Sequence, residues 1–134
     1  MLKQYNPKDC VTTINDSIAI TGYSSAMISG SKDNPLVAIA EGAQGDAVAN
    51  VSASRIGTMT ITLQATSPSN AVLMRLAKSR EIFKIWAANK PLGERMGGNN
   101  AMVENYATVE YGETIGDRVY TIKVADFEEE MTNP

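Results

Sequence analysis

Acid–base and nucleophilic chemistry has few candidates in this sequence. There is no histidine, which removes the commonest general base, the commonest metal ligand and the one side chain that titrates unperturbed near neutrality. A Ser-His-Asp triad and a Cys/His zinc site are therefore impossible. The single cysteine, Cys10, has no intrachain disulfide partner. It precedes Val11 in a β-rich run, where a small half-buried hydrophobe is the ordinary role. Serine and lysine are common enough to form a dyad, but no local pattern brings a pair together. "EGAQGD", from Glu41 to Asp46, has glycines but neither the lysine nor the following helix of a phosphate loop. Asn15-Asp16-Ser17 lacks the alternating acids of a calcium loop. Glu128–Glu130 belongs to an acidic run in which a solvated, frayed tail is expected rather than a metal site. The tyrosines are scattered and stand apart from the basic residues, so no base-stacking platform is indicated. These residues predict no catalytic, metal-binding or cofactor-binding site, and a protein that is not an enzyme.

With 134 residues, 43% of them apolar, the chain fits one domain with a single core. Charged residues are 20% and the net charge is −3, a balance that argues against binding nucleic acid by phosphate neutralisation. The charge is uneven along the chain. Residues 75–95 carry Arg75, Lys78, Arg80, Lys84, Lys90 and Arg95 against Glu81 and Glu94. Residues 96–134 carry Arg118 and Lys123 against Glu104, Glu110, Glu113, Asp117, Asp126, Glu128, Glu129 and Glu130. Solvated surface is the ordinary reading of such runs; a dipolar subunit whose basic face meets a neighbour's acidic face is the sharper one. "MLKQYNPKDC" has no apolar core of a signal peptide, and no stretch approaches a membrane span, so a soluble, cytoplasmically assembled protein without a membrane anchor is expected.

The elements follow from hydrophobic periodicity. Val11–Ile14 and Ile18–Thr21 flank Asn15-Asp16 as a tight hairpin that Gly22 ends. Ala26–Ile28 reads as a short strand before a Gly/Ser/Asp/Asn/Pro turn. Residues 36–41 and 47–53 read as two strands of small side chains across Gly42–Asp46, a composition that suits close approach of another backbone. Thr58–Thr66 alternates most clearly, with Met59, Ile61 and Leu63 facing inward and Thr58, Thr60 and Thr62 on a more polar face. Ser67 is placed to cap a helix and Pro68 to begin it. That helix is expected to run to about Ser79, with Val72, Leu73 and Leu76 docking it on a sheet. Glu81–Pro91 reads as a strand with Phe83 and Trp86 on opposite faces, "LGERMGGNN" as a turn, and 101–109 and 119–127 as further strands. Without βαβ alternation, a mainly β fold is expected: an antiparallel β-sandwich or barrel with one α-helix, in one domain over 1–134.

Several of these stretches together resemble the tail-tube proteins of contractile-tailed bacteriophages. They are "YNPKD", "VTTINDSIAITGY", "SRIGTMTITLQATSPSNAVLMRLA" and "ATVEYGETIGDRVYTIKVADFE", in this order along the chain. The most specific are Gly57–Asn70 and Val109–Gly112. The resemblance implies a virion structural protein, assembled in the host bacterial cytoplasm, whose homohexameric rings stack into a hollow tube for genome ejection. It implies the tail sheath, baseplate and tail terminator proteins as partners, with tape measure protein and DNA passing through the lumen unbound. Under it, Glu41, Gly42, Ala43, Gln44, Gly45, Asp46 and Ala47 become a candidate inter-ring loop. Val37, Ile39, Val48, Asn50, Ser52, Thr58, Thr60 and Thr62 become candidates for intersubunit or lumen-facing strands. Two other readings stand beside it: another ring-forming morphogenesis protein, such as a tail terminator or head–tail connector, and a small-molecule-binding β-barrel.

Overall fold

The computed structural model describes residues 2–132. A 3-10 turn, Pro7–Asp9, leads into β1 (Cys10–Ile14), β2 (Ile18–Ala19), β3 (Tyr23–Lys32), β4 (Val37–Glu41), β5 (Ala47–Val51) and β6 (Gly57–Leu63). The helix α1 (Ser69–Ser79) follows, then β7 (Phe83–Asn89), β8 (Glu94–Asn105), β9 (Arg118–Val124) and β10 (Glu128–Met131). Every pairing is antiparallel: the main sheet runs β2-β1-β7-β8-β9-β6-β3, β10 adds to β8, and β4–β5 form a separate two-stranded sheet. A mainly β antiparallel architecture with one helix is what the periodicity predicted.

Alternation sets the core. On β6, Met59, Ile61 and Leu63 are fully buried, in one cluster with Tyr120, Ile122 and Val124 of β9 and with Phe83, Ile85 and Ile14. Each such side chain contributes roughly 1.5–3 kcal/mol on burial. The sheet curls tightly around them. β3 and β8 are three strand places apart, about 14 Å in a flat sheet, yet a Cβ on Gly30 of β3 would stand 2.8 Å from Met96 Sδ of β8.

Helix α1 packs over β8 and sends Leu73 and Leu76 into the core, with Val72 half-buried against it. Ser67 Oγ accepts the Ser69 amide at 3.2 Å, and Pro68 already has helical dihedrals. Arg80, in the left-handed region at φ 57°, ends the helix. The strand before it stops at Leu63 rather than Thr66. Gln64 turns away there: its amide bonds the Gly22 carbonyl, and its carbonyl accepts from the Asn70 side chain.

Three further expectations are corrected. β3 is ten residues long rather than the stretch Ala26–Ile28. A bulge at Met27, φ 49°, resets its register, and Ser29, Gly30 and Ser31 then pair with β6 despite their turn-like composition. "LGERMGGNN" is mostly strand, since β8 starts at Glu94 and ends at Asn105. Val109–Gly112 consequently lies in a loop that Tyr111 bridges to Ile115. Lastly, Glu128–Met131 is a paired strand, not a frayed tail. The Arg95 guanidinium grips Glu130 at 2.8 and 3.0 Å while stacking 4.5 Å from the Trp86 ring. Such exposed ion pairs contribute ~0–1 kcal/mol each, so the ladder with β8 does most of the ordering. Asn133 and Pro134 of the expected tail lie outside the described residues.

The corner between β9 and β10 is held by Asp126, whose carboxylate accepts the amides of Asn99 at 3.2 Å and Asn100 at 3.0 Å. Desolvation pushes its pKa up, but those amides and Arg55 outweigh it and hold it below the ordinary 3.8. A depressed folded-state pKa stabilises the fold above the unfolded value, and that stability is lost as pH falls through the folded one. Asp126→Asn is therefore expected to lower the urea midpoint at pH 7 by the equivalent of ~1 kcal/mol, given the solvent exposure of the corner. The gap between the two proteins should close in the acid limb, below pH 3.8. A gap that stays constant with pH would contradict the charge-based account.

Candidate functional site

The residues with chemical potential turn up in structural positions. Cys10 is half-buried and desolvation pushes its thiol pKa up, which disfavours the thiolate. Lys123 Nζ lies 2.7 Å from Thr58 Oγ1, a geometry reminiscent of a lysine–hydroxyl dyad. Asp33 also accepts from that ammonium at 2.7 Å, and this hydrogen bond raises the Lys123 pKa. A charged ammonium has no lone pair with which to act as a base. Among the described residues, no three or more His, Cys, Asp or Glu side chains cluster as metal ligands, and no helix is long and apolar enough to cross a membrane.

The Ser-Pro-Ser-Asn stretch, Ser67–Asn70, has its polar groups committed to packing. Ser67 Oγ donates to the Thr21 carbonyl at 2.5 Å, and Ser69 Oγ accepts the Thr21 amide at 3.0 Å. Asn70 Nδ2 donates to the carbonyls of Gln64 and Ala65, while its Oδ1 accepts the Tyr120 hydroxyl at 2.8 Å. This motif ties the helix N-terminus to the Thr21-Gly22 turn and to β9. Gly22, at φ 73°, is required there because a Cβ would sit 2.6 Å from Ser67 Cβ.

The features left without an internal role are surfaces. The β4–β5 hairpin pairs only with itself, and all ten strand residues are exposed. Its register puts Val37, Ile39, Ala49 and Val51 on one face and Ala38, Ala40, Val48 and Asn50 on the other. Ile39 is 75% and Val51 80% exposed. Glu41 and Ala47 close the last pair, and the Gly42–Asp46 turn is tied by the Gly42 amide to Asp46 carbonyl bond of 2.7 Å. Gly45 sits at φ 88° in that turn, with Ala43 and Gln44 at the tip. Ser52 lies just beyond β5, its amide bonded to the Leu36 carbonyl at 2.8 Å. An isolated two-stranded hairpin is at best marginal in water, and this one exposes apolar side chains on both faces.

Thr58, Thr60 and Thr62 lie elsewhere, half-buried on the outer face of the main sheet. Ser29 and Ser31 of β3 and Thr121 of β9 flank them, forming a hydroxyl-rich surface. The candidate intersubunit and lumen residues thus divide into two separate surfaces. Adjoining the hydroxyl-rich surface, on the same face of the sheet, is an apolar groove of about 500 Å³ bordered by Ile56, Ile82, Met102 and Val124, with Asp33 and Lys123 on its rim. The charge split along the sequence is partly cancelled in space: Arg95 pairs with Glu130, and Arg55 with Glu128 at 3.3 Å. Arg75, Lys78 and Arg80, all exposed, keep a basic surface on α1.

Sequence reasoning placed the hairpin but overlooked the groove. Ile56, Ile82 and Met102 come from three distant segments, and no local pattern connects them.

No family model and no curated protein matches the chain. Its fold does match solved structures over nearly its whole length. Against a cryo-EM structure of the sheath–tube complex of an extracellular contractile injection system, PVC, in its extended state, the TM-score is 0.67 at 15% identity, covering 92% of this chain and 88% of that one. The sheath/tube terminator of the same system gives 0.68 at 14% identity, with 96% and 98% covered. The tube terminating cap of the anti-feeding prophage gives 0.65 at 10% identity, with 98% and 95% covered. At these identities the likeness is one of fold.

Proposed function

We propose that this chain is a structural subunit that assembles with copies of itself into hexameric rings stacked as the inner tube of a contractile, phage-tail-like particle. The observation that carries this reading is the β4–β5 hairpin, apolar and exposed on both faces, on a fold shared with components of contractile injection systems. A neighbouring copy supplies the cover that the monomer lacks. Assembly also removes exposed strand edges such as that of β3, which would otherwise template aggregation.

In this reading Glu41–Ala47 reaches toward the next ring, and the hydroxyl-rich face around Thr58, Thr60 and Thr62 lines the lumen. With Lys123 neutralised by Asp33, that face offers passing DNA or tape measure protein few fixed charges to bind. The partners are the sheath around the tube and the baseplate and terminator at its ends, and the setting is the virion. A net basic lumen in an assembled tube would contradict this placement.

The second reading is a terminating ring, favoured by the equally good fold match to a terminator and a cap. Electron microscopy of the concentrated protein separates the two. Open-ended tubes are the expected result, isolated rings would select the terminator, and a monomer at every concentration would refute both.

A further inference from the structure

We infer that the Val37/Ile39/Val51 face of one copy's hairpin seats in the Ile56/Ile82/Met102 groove of the next copy, head to tail. This inference rests on the self-assembly proposed above and says which two surfaces meet.

Both surfaces need cover, and they match in chemistry. The hairpin face presents valine, isoleucine and alanine without a charge between its ends. The groove presents Ile82, 66% exposed, with Ile56 and Met102 beside it and Val124 beneath. Lys123 on the rim is held by Asp33 and Thr58 on its own chain, so the groove offers no unengaged cation to a polar ligand. An aliphatic surface is what fits.

The occupant comes from another copy. Asp33 and Ile56, which border the groove, are bonded to each other at the hairpin's root through the Asp33 amide and Ile56 carbonyl, 3.0 Å apart. Strands of five residues carry the face ~17 Å away from that root. All ten of its strand residues are exposed, so the hairpin's apolar face does not cover the groove of its own chain.

Charge sets the direction. The hairpin tip carries Glu41 and Asp46. A second depression, which shares Met102 with the groove, holds Arg80 of the basic α1 surface together with Glu104, and Arg80 has no ion pair among the described residues. A hairpin laid across Met102 brings its acidic tip toward that guanidinium. Because each copy has one hairpin and one groove in different places, the contact is heterologous; it closes into a ring or propagates, according to the rotation between copies.

Disulfide trapping tests the pairing in a Cys10→Ser background. Ile39→Cys or Val51→Cys protein is mixed with Ile82→Cys or Met102→Cys protein, allowed to assemble and oxidised. Cross-linked mixed dimers are expected from at least one of the four pairs. In parallel, Ile82→Glu, at an exposed position, should keep the parent's monomer melting curve and raise the concentration needed for assembly by ~10-fold or more. Assemblies in the microscope with no cross-link from any pair would overturn the pairing while leaving self-assembly intact. So would parental assembly of Ile82→Glu, or a bond forming within one chain of the Ile39→Cys/Ile82→Cys double variant. A protein that stays monomeric at every concentration would overturn both the pairing and the assembly it rests on.

Discussion

Replacing residues 37–51 with a short Gly-Ser linker should abolish tubes and leave a folded monomer. The hairpin makes no ladder bonds to the main sheet, and none of its side chains belongs to the buried cluster. Its ends already meet, with the Ser52 amide 2.8 Å from the Leu36 carbonyl, so a short linker closes the gap without strain. Loop closure depends only weakly on length, and each doubling costs about 0.6 kcal/mol. Chemical denaturation should therefore report a stability within ~1 kcal/mol of the parent, while electron microscopy and sedimentation show no tubes. Removing only Glu41–Ala47 is a milder cut, aimed at ring stacking, and single rings or monomers are expected. Long tubes from either variant would remove the hairpin from the assembly account. A variant that failed to fold would show instead that the hairpin supports the core.

Gly97→Ala should be among the most damaging single substitutions in the chain. Gly97 sits in β8 at φ 146°, paired in register with Trp86 of β7 just before the register shift between the two strands. A Cβ there would collide with the Ile85 carbonyl oxygen and come 2.9 Å from Trp86 Cα. Both are backbone atoms of the central strand β7, so no side-chain rotation relieves the clash. Backbone strain of this kind costs on the order of 3 kcal/mol, enough to lower the melting temperature by ~10 °C in a domain of this size. Circular dichroism melts check the result. Gly45→Ala is the control: Gly45 also has positive φ, but its Cβ would meet only the Glu41 side chain, at 3.8 Å. A small loss at Gly97, equal to that at Gly45, would mean that β7 and β8 can separate there without penalty.

Local pattern carried much of the fold. The Met59/Ile61/Leu63 alternation, the Ser67-Pro68 helix start and the small-residue pair β4–β5 were all legible because each is encoded by neighbours in sequence. What escaped was encoded by distant partners. Ser29-Gly30-Ser31 looks like a turn, and it is a strand because β6 lies alongside and Gly30 admits Met96 and Phe127. Gly97-Gly98 looks like punctuation, and it is strand because only glycine lets β8 pass so close to β7 and to Val124. Glu128–Glu130 looks solvated, and it is ordered by Arg95 and by the first residues of β8, Glu94–Gly97, which β9 leaves unpaired.

By itself the sequence determined a mainly β, antiparallel fold with one helix. Having no histidine and one cysteine, it ruled out histidine-based triads and an intrachain disulfide among these residues from composition alone. It also marked the 36–54 segment as small, apolar and nearly uncharged. Only the tertiary structure decided that this segment stands outside the core as an uncovered hairpin, and that Ile56, Ile82 and Met102 converge on one groove. Periodicity reports which side of a strand is apolar. Whether that side meets the chain's own core or a neighbouring molecule depends on where the rest of the chain lies, which no local spacing encodes.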